Sequence, residues 1–353
     1  MLDLQRVATA MAGFRGCLRH GLIFKHTTMS ETTDLLATGD AAGIPVAVTI
    51  TDSNFFIAVF TLLLSMHFHK VRAKLHVLSV GLSEEEKRLL RQFPGTQVIE
   101  ASRANSRGPT CRKGEAILEA ARISPEATHI SLFDGDTLAT GDITKYLCPA
   151  GETLFGRWKT PEEDGQIFAS RYEAGEAVGT IPRRILQIWQ QDVNERSTPL
   201  IRNTVCGGNL TVHRKALGFI ERWQTQMDKV LPENLKGAHN FSSEAYFQVD
   251  ESVLNSLLAF AHDAPAALPA QLNIDPQAYV AHLGPNNPKP WVLWRPEKLH
   301  YYPQVAGFFT WAKQQGYELP KVPWTFQRRY KPAVIASAHL FGAARWLKGR
   351  LKA

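Results

Sequence analysis

Short apolar segments alternate with stretches of helical periodicity in the first half of the chain. Residues 44–51 are largely apolar and β-branched, which is typical of a strand buried on both faces. The alternation predicts an α/β domain with a mostly parallel, doubly wound, Rossmann-like sheet, whose ligands bind beyond the carboxyl ends of its strands. The predicted order is strand 44–51, helix 55–68, strand 74–80, a helix opened by the Ser83–Glu86 capping-box spacing, strand 96–100, helix 112–122 and strand 128–133.

The pattern becomes mixed after residue 150. Strands are predicted in LFGRW and GGNLTVH, helices over residues 217–230 and 251–262, and a final helix over residues 333–351. The stretch between residues 264 and 324 is rich in Pro, Trp and Tyr. The chain is therefore divided into an N-terminal amphipathic helix with a linker (1–43), an α/β half (44–150), a mixed half (151–325) and a basic C-terminal helix (326–353).

The positive charge is concentrated in the last segment. The formal net charge of the chain is +7. The stretch after Glu318 contains eight basic residues and no acidic one, so its charge alone is greater than that of the whole chain. A near-neutral body argues against a nucleic-acid groove. The final helix carries an apolar stripe flanked by basic residues, which predicts binding to an anionic membrane surface; docking onto the protein itself or onto another subunit remains an alternative. The stripe consists of Leu340, Ala344, Leu347 and Leu351.

The expected location is cytoplasmic, peripheral on the inner face of the membrane. The four cysteines are far apart and form no CxxC pair, which favours a reducing compartment. The longest apolar run, residues 55–66, is shorter than the roughly 20 residues of a membrane-spanning helix. No secretory signal is evident.

The predicted strand 128–133 runs directly into Asp134, Gly135 and Asp136. Residues two apart share one side of a strand, so the two carboxylates can converge, and Gly135 leaves room against the backbone. Oxygen ligands of this kind suit Mg²⁺ or Mn²⁺. Two alternatives remain: an ordinary acidic loop, and an aspartyl phosphatase with Asp134 as nucleophile. The phosphatase pattern places its threonine one position later than Thr137 and its aspartates near the start of the fold.

Five segments, in order between residues 46 and 291, resemble the retaining glycosyltransferases of family GT8, which includes glycogenin and bacterial lipopolysaccharide galactosyl- and glucosyltransferases. The segments are TITDSNF, CRKGEAILEA, the aspartate turn with VCGGNLTV, VDESVLN and HLGPNNPKPW. The resemblance implies a GT-A type fold, with 44–150 as the nucleotide-sugar-binding half and 151–325 as the acceptor and catalytic half. It also implies transfer of a hexose from a UDP-sugar to a glycan or lipid-linked glycan.

The first two segments would bind the donor nucleotide. In the family the turn after the first strand cradles uridine, so the resemblance implies that Thr51, Asp52 and Asn54 contact it. The alternative for Asp52 is a helix N-cap, which does not exclude binding. A basic residue near the donor phosphates corresponds to Arg112 or Lys113; the alternative for either is a solvated helix start.

Two further segments would contact the donor sugar. Gly208 matches the glycine of the family's N-S-G-V-L-L strand, while Cys206 stands in place of its asparagine; close backbone packing is the alternative for this glycine. In the D-Q-D-x-L-N pattern, Asp250 matches the first aspartate and Glu251 replaces the glutamine. Asp250 would orient sugar hydroxyls, and the Glu251 carboxylate would attack or neutralise a cationic anomeric centre. The alternative for both is an acidic first helical turn.

The last segment resembles His-x-x-Gly-x-x-Lys-Pro-Trp, with His to Gly shorter by one residue and Gly to Lys longer by two. The resemblance implies that His282 joins Asp134 and Asp136 as a metal ligand. Gly284 and Lys289 would lie at the diphosphate, and Trp291 completes the motif. The implied cofactor is Mn²⁺ or Mg²⁺. Because several motif positions are replaced, a non-catalytic nucleotide- or glycan-binding module is the alternative to an enzyme.

Overall fold

The computed structural model describes residues 45–101, 107–169, 177–237, 241–269, 280–283 and 289–351. The predicted N-terminal helix and linker lie outside the described residues, and so does Gly284. The strands are β1 (Val46–Thr51), β2 (Lys74–Ser79), β3 (Thr96–Glu100), β4 (His129–Phe133), β5 (Thr137–Ala139), β6 (Leu154–Trp158), β7 (Ala177–Val178), β8 (Ile181–Pro182), β9 (Val205–His213), β10 (Leu268–Pro269) and β11 (Val280–His282). The α-helices are α1 (Phe56–Phe68), α2 (Glu84–Arg91), α3 (Lys113–Ile123), α4 (Pro161–Phe168), α5 (Arg183–Val193), α6 (Leu217–Val230), α7 (Asp250–Phe260), α8 (Tyr302–Gln314) and α9 (Lys331–Arg350).

One seven-stranded sheet has the order β10-β6-β9-β4-β1-β2-β3. Strands β3, β2, β1 and β4 are parallel, with α1, α2 and α3 in the connections, as the alternating pattern predicts. Strand β9 is antiparallel to both β4 and β6. The two halves suggested by the sequence therefore share one sheet, and β9 joins them.

Hydrophobic cores lie on both faces of this sheet. In β1, Val46 and Val48 belong to one core, and Ala47, which points the other way, belongs to the second. Helices α3, α6 and α7 contribute to the first core, and α1 and α8 to the second. Burial on both faces is the reason why β1 is apolar at nearly every position. The predicted α/β class with a mostly parallel, doubly wound sheet and a mixed second half is confirmed.

Most predicted elements agree with the structure within one or two residues. The capping box predicted for α2 is present: Glu86 N–H donates to Ser83 Oγ and Ser83 N–H to a Glu86 carboxylate oxygen. Helix α8, inside the stretch rich in Pro, Trp and Tyr, was not predicted. Its buried positions follow a helical spacing, with Val305, Phe308 and Ala312 among them, and its first turn contains a proline.

The final helix α9 begins two residues before the predicted start. Its first half packs on the body through Val334 and Ala338, both fully buried. Beyond residue 342 every described residue is exposed. None of the described helices is long and apolar enough to cross a bilayer.

Candidate active site

The two aspartates lie where β4 ends, at the carboxyl edge of the sheet. Asp134 N–H donates to Gly208 O of β9 (2.7 Å), and Thr137 N–H donates back to Asp134 O (3.0 Å), which closes a tight turn. Gly135 at the turn packs closely: a Cβ there would lie 2.7 Å from Val59 Cγ2. A larger residue here would displace Val59 or the turn, so glycine allows the turn to pack closely on α1.

A two-stranded antiparallel ribbon brings His282 to the aspartates. Strand β5 follows Asp136 directly and pairs with β11, with His282 opposite Thr137. Leu283 N–H donates to Asp136 O (2.9 Å), which extends the pairing past the strand ends. One ligand atom each from Asp134, Asp136 and His282 lies within 4.8 Å of the others.

Asp136 is the most strongly paired carboxylate of this group. It is 5% exposed, with His282 Nε2 2.9 Å from Oδ1 and Lys289 Nζ 2.6 Å from Oδ2. Burial alone would raise the pKa of Asp136, but the neighbouring His282 and Lys289 hold that pKa well below its usual range. Burial alone would lower the pKa of His282, and the Asp136 carboxylate more than offsets this, so the histidine pKa is raised.

Lys113 bridges the metal-site aspartates and the start of α7. Its Nζ lies 2.7 Å from Asp134 Oδ1 and 2.8 Å from Asp250 Oδ2, and it donates to Gly207 O (3.1 Å). Burial opposes the charge of Lys113, yet the two carboxylates raise its pKa above the usual value. Of the two basic candidates, Lys113 therefore joins the site, while Arg112 forms a buried ion pair with Glu115 (2.8 Å).

Asp250 and Glu251 form the first turn of α7. The preceding residue, Val249, has φ of 53°, a conformation that costs a β-branched residue strain and that here sets the direction in which the turn starts. Burial raises the pKa of Asp250 to about 6; Lys113 opposes the shift and Asp134 adds to it. Asn255, one turn later, bonds both Val205 N–H and Val205 O and so ties α7 to β9.

Two glycines of β9 allow these carboxylates to approach the strand. A Cβ on Gly207 would lie 2.9 Å from Asp250 Oδ2 and 3.3 Å from Glu251 Cα. A Cβ on Gly208 would overlap the Asp134 carboxylate. This geometry agrees with the alternative considered for Gly208, close packing at the strand, and Gly207 allows the same close approach to α7. Contact of Gly208 with a donor sugar stays a prediction. The neighbouring Cys206 is buried, and burial raises its thiol pKa to about 11.

The turn after β1 approaches the same region through aromatic rings. Asp52 accepts a bond from Phe55 N–H (3.0 Å) and closes the turn that leads into α1, while Asn54 Nδ2 lies 3.4 Å from Asp52 Oδ2. The Phe55 ring meets Trp291 edge-on at 5.6 Å. Lys289 Nζ lies 5.2 Å from the Phe55 ring centre, so this turn is connected to Asp136. Thr51 is buried, and its hydroxyl donates to Asp52 O (2.8 Å).

Sequence reasoning missed one charged residue of the site. Lys159, which follows β6, is 5% exposed and forms an ion pair with Glu251. The two residues are 92 positions apart, and no motif contains Lys159. Its only sequence signal is its place directly after a predicted strand.

The donor set fits a divalent cation. Two carboxylates and one imidazole converge on one point, and their side chains retain 23%, 6% and 30% exposure for Asp134, Asp136 and His282. Oxygen and imidazole nitrogen donors suit Mn²⁺, and Mg²⁺ prefers the oxygen donors. Lysines beside these ligands add fixed positive charge suited to a diphosphate.

No protein-family model matches the sequence, and no curated protein sequence matches it either. Among solved structures, the chain is similar to the bifunctional glycosyltransferase WbbM, at 14% identity and a TM-score of 0.49, over 80% of this chain and 52% of WbbM. It is also similar to the galactosyltransferase LgtC, solved with donor and acceptor sugar analogues, at 12% identity and a TM-score of 0.44, over 78% of this chain and 97% of LgtC.

A further similar structure is the glycosyltransferase GlyE of Streptococcus pneumoniae, at 15% identity and a TM-score of 0.42, over 78% of this chain and 65% of GlyE. The chain thus spans about half of WbbM and nearly all of LgtC. At such identities the likeness concerns the fold alone.

Proposed function

We propose that this chain is a metal-dependent glycosyltransferase that moves a hexose from a UDP-sugar to a glycan or lipid-linked glycan, with retention of configuration. The proposal is supported most directly by Asp134, Asp136 and His282, which converge within 4.8 Å at the carboxyl edge of a mostly parallel sheet. Ligands of doubly wound sheets bind at this edge. The buried lysines and carboxylates around the three residues supply the remaining groups that sugar transfer from a diphosphate requires.

Asp134, Asp136 and His282 would hold a divalent cation, which would supply Lewis-acid stabilisation of the leaving diphosphate. Lys289, beside Asp136, binds the diphosphate and stabilises the charge that develops when it leaves. Asp52 and Asn54 bind the uracil ring, near the Phe55 and Trp291 rings. The nucleotide thus extends from the turn after β1 to the aspartates.

In the transfer step, the bond between the anomeric carbon and the diphosphate oxygen breaks, and its electron pair stays on the diphosphate. An acceptor hydroxyl oxygen forms the new bond on the same face, and its proton passes to the departing phosphate oxygen. Asp250, held by Lys113, orients the hydroxyls of the donor sugar. Glu251 faces the anomeric carbon and stabilises its positive charge in the transition state.

The test is UDP release from a panel of UDP-hexoses with Mn²⁺, with and without a glycan acceptor. We expect release from one donor, and its loss in excess chelator and in Asp134→Asn. Asp142→Asn is the matched control, because Asp142 is exposed and caps Thr144 in the segment that follows β5. Full activity of Asp134→Asn, or full activity in chelator, would contradict the proposal. Nucleotide binding without release from any donor would indicate the binding module instead.

We also propose that the outer half of α9 lies on an anionic membrane surface, where a lipid-linked acceptor is available. Its apolar side chains are exposed: Leu340 at 72%, Trp346 at 57%, Leu347 at 54% and Leu351 at 87%. Basic residues flank them, namely Arg345, Lys348 and Arg350. Apolar and aromatic residues beside basic ones suit the headgroup region of anionic lipids.

Co-sedimentation with vesicles tests the membrane proposal. The full chain should bind vesicles that contain anionic phospholipid, and binding should weaken with salt and on purely zwitterionic vesicles. A chain that lacks residues 344–353 should lose this binding. Equal binding by both chains would exclude the membrane role, and concentration-dependent dimers of the full chain alone would assign the stripe to a second copy.

A further inference from the structure

Lys159 is held in place by the main chain on both sides. It follows β6, and its N–H donates to Thr204 O (2.8 Å). The next residue, Thr160, is the N-cap of α4, in a capping box with Glu163. The lysine backbone is therefore fixed between a paired strand and a capped helix, and its side chain is 4% exposed.

The Lys159 side chain ends on Glu251. Its Nζ is paired with Glu251 Oε1, while Gly207 N–H donates to Oε2 (3.0 Å). Both carboxylate oxygens are thus occupied, one by a cation and one by the backbone. Asn255 Nδ2 also donates to Glu251 O (2.8 Å) and fixes the helical turn that carries the carboxylate.

Glu251 needs such a cation because of its surroundings. Its side chain is 13% exposed, and the adjacent Asp250 carboxylate is also buried. A carboxylate in this position loses most of its hydration and meets a like charge from its neighbour. The single backbone N–H leaves one carboxylate oxygen for Lys159, and removing a buried cation from such a pair leaves an uncompensated charge, which is strongly destabilising.

We propose that Lys159 is a positioning residue of the active site, which fixes the orientation and the negative charge of the Glu251 carboxylate. This inference rests on the proposed function, since it assigns Glu251 to the face of the sugar ring. With both oxygens bonded, the carboxylate is a fixed counter-charge for the cationic anomeric centre. Lys159 and Glu251 then act as one unit, and the effect of substituting either residue on catalysis depends on the presence of the other.

The activity test compares Lys159→Met, Glu251→Gln and the double variant. Lys159→Met should lower kcat on the order of 10²-fold, because the carboxylate is no longer held in place. The donor KM should stay within a factor of about two, since the interaction acts in the transition state. The double variant should lose no more than the worse single variant. Wild-type kcat in Lys159→Met, or losses that multiply in the double variant, would overturn the inference.

Thermal unfolding without donor tests the pair independently of activity. Lys159→Met should unfold at a lower temperature because it leaves a buried carboxylate unpaired, and adding Glu251→Gln should restore part of the loss. No restoration would contradict the pairing. If the wild-type chain releases no UDP from any donor, the proposed function fails, while this thermal comparison still reports on the pair.

Lys87→Met is the matched control for a structural effect. Lys87 is also a largely buried lysine in ion pairs, with Glu84 and Glu100, and its side chain is 11% exposed. Its loss should lower the unfolding temperature and leave kcat unchanged. If Lys159→Met behaves like Lys87→Met, with lower stability and an unchanged kcat per folded molecule, Lys159 is structural only and the inference is wrong.

Discussion

At the scale of single residues, small side chains decide how closely charges approach one another. Gly208 lies beside Asp134, whose N–H donates to the Gly208 carbonyl and whose carboxylate occupies the space of a Cβ. Gly208 does not have a positive φ, so alanine is free of backbone strain there. The size of the side chain at position 208 is therefore limited by the Asp134 carboxylate and not by the backbone conformation.

Gly208→Ala should displace the Asp134 carboxylate and weaken Mn²⁺ binding on the order of 10-fold or more, because residues that orient a ligand control its affinity. Calorimetric titration with Mn²⁺ measures the change. Gly218→Ala is the control: a Cβ at Gly218 meets nothing within 4 Å, and alanine is the better helix residue. Unchanged Mn²⁺ affinity in Gly208→Ala would show that the carboxylate has room to move.

A buried histidine of β2 makes stability depend on pH. His76 is 3% exposed, with Nε2 2.9 Å from Ser124 Oγ. Burial lowers the pKa of His76 to about 4; Lys74 lowers it further and Glu126 opposes the shift. The pKa in the folded state is below the unfolded value, so the unfolded chain binds the proton first as the pH falls.

The free energy of unfolding should therefore fall as the pH drops from 6.5 towards 4, with His76 contributing at most about 1.4 kcal/mol per pH unit. Urea unfolding at several pH values, compared between the wild type and His76→Gln, isolates this contribution. The variant should show the smaller slope between pH 6.5 and pH 4. Identical slopes would mean that His76 does not titrate differently in the two states.

At the scale of elements, the short ribbon of β5 and β11 assembles the metal ligands. Strand β5 is fully buried and is held from the other side by α1, where Ser65 Oγ accepts a bond from Ala139 N–H (2.9 Å). The same hydroxyl donates to Leu62 O within its helix. The ribbon that brings His282 to Asp136 is thus fixed by its partner strand and by one side chain of α1.

Ser65→Ala should destabilise the protein by roughly 1–3 kcal/mol, because it leaves the buried Ala139 N–H without a partner. Chemical denaturation measures the loss. Ser337→Ala is closely matched: Ser337 Oγ also donates to the carbonyl three residues earlier, in α9, and Ser337 is only partly buried. The control should change stability by less than about 0.5 kcal/mol. Equal effects of the two variants would rule out a special role of the bond to β5.

At the scale of the whole molecule, one sheet with a core on each face joins both halves of the chain. The outer part of α9 takes no part in either core. Gly342 still touches Pro296, and beyond it Arg345 lies 3.7 Å from Glu297, both about half exposed. An ion pair of this exposure contributes little to stability.

Removal of residues 344–353 should therefore leave the urea midpoint of unfolding unchanged, while the vesicle binding described above is lost. Removal from residue 333 onwards should destabilise the protein, since Val334 and Ala338 are fully buried. Circular dichroism during urea titration compares the three chains. A clear loss of stability in the shorter deletion would show that the outer helix packs on the body.

The sequence by itself determined the elements of the sheet and the position of the aspartate pair. Hydrophobic periodicity is a local signal, so β1, β3, β6 and α6 could be predicted with little error, and Asp134 and Asp136 could be placed at a strand end. The motif HLGPNNPKPW, whose spacing differs from that of the family, suggested that His282 joins the two aspartates. The motif did not indicate which strand pairing brings His282 next to them.

Only the tertiary structure decided which distant side chains meet. His282 reaches Asp136 because β11 pairs with β5. Lys113 meets Asp134 and Asp250, whereas the equally buried Arg112 pairs with Glu115. Lys159, after β6, reaches Glu251 in α7. Such contacts depend on the pairing and packing of segments tens to more than a hundred residues apart. Local periodicity specifies which face of an element is buried, whereas the partner of that face is set by the packing of the whole domain.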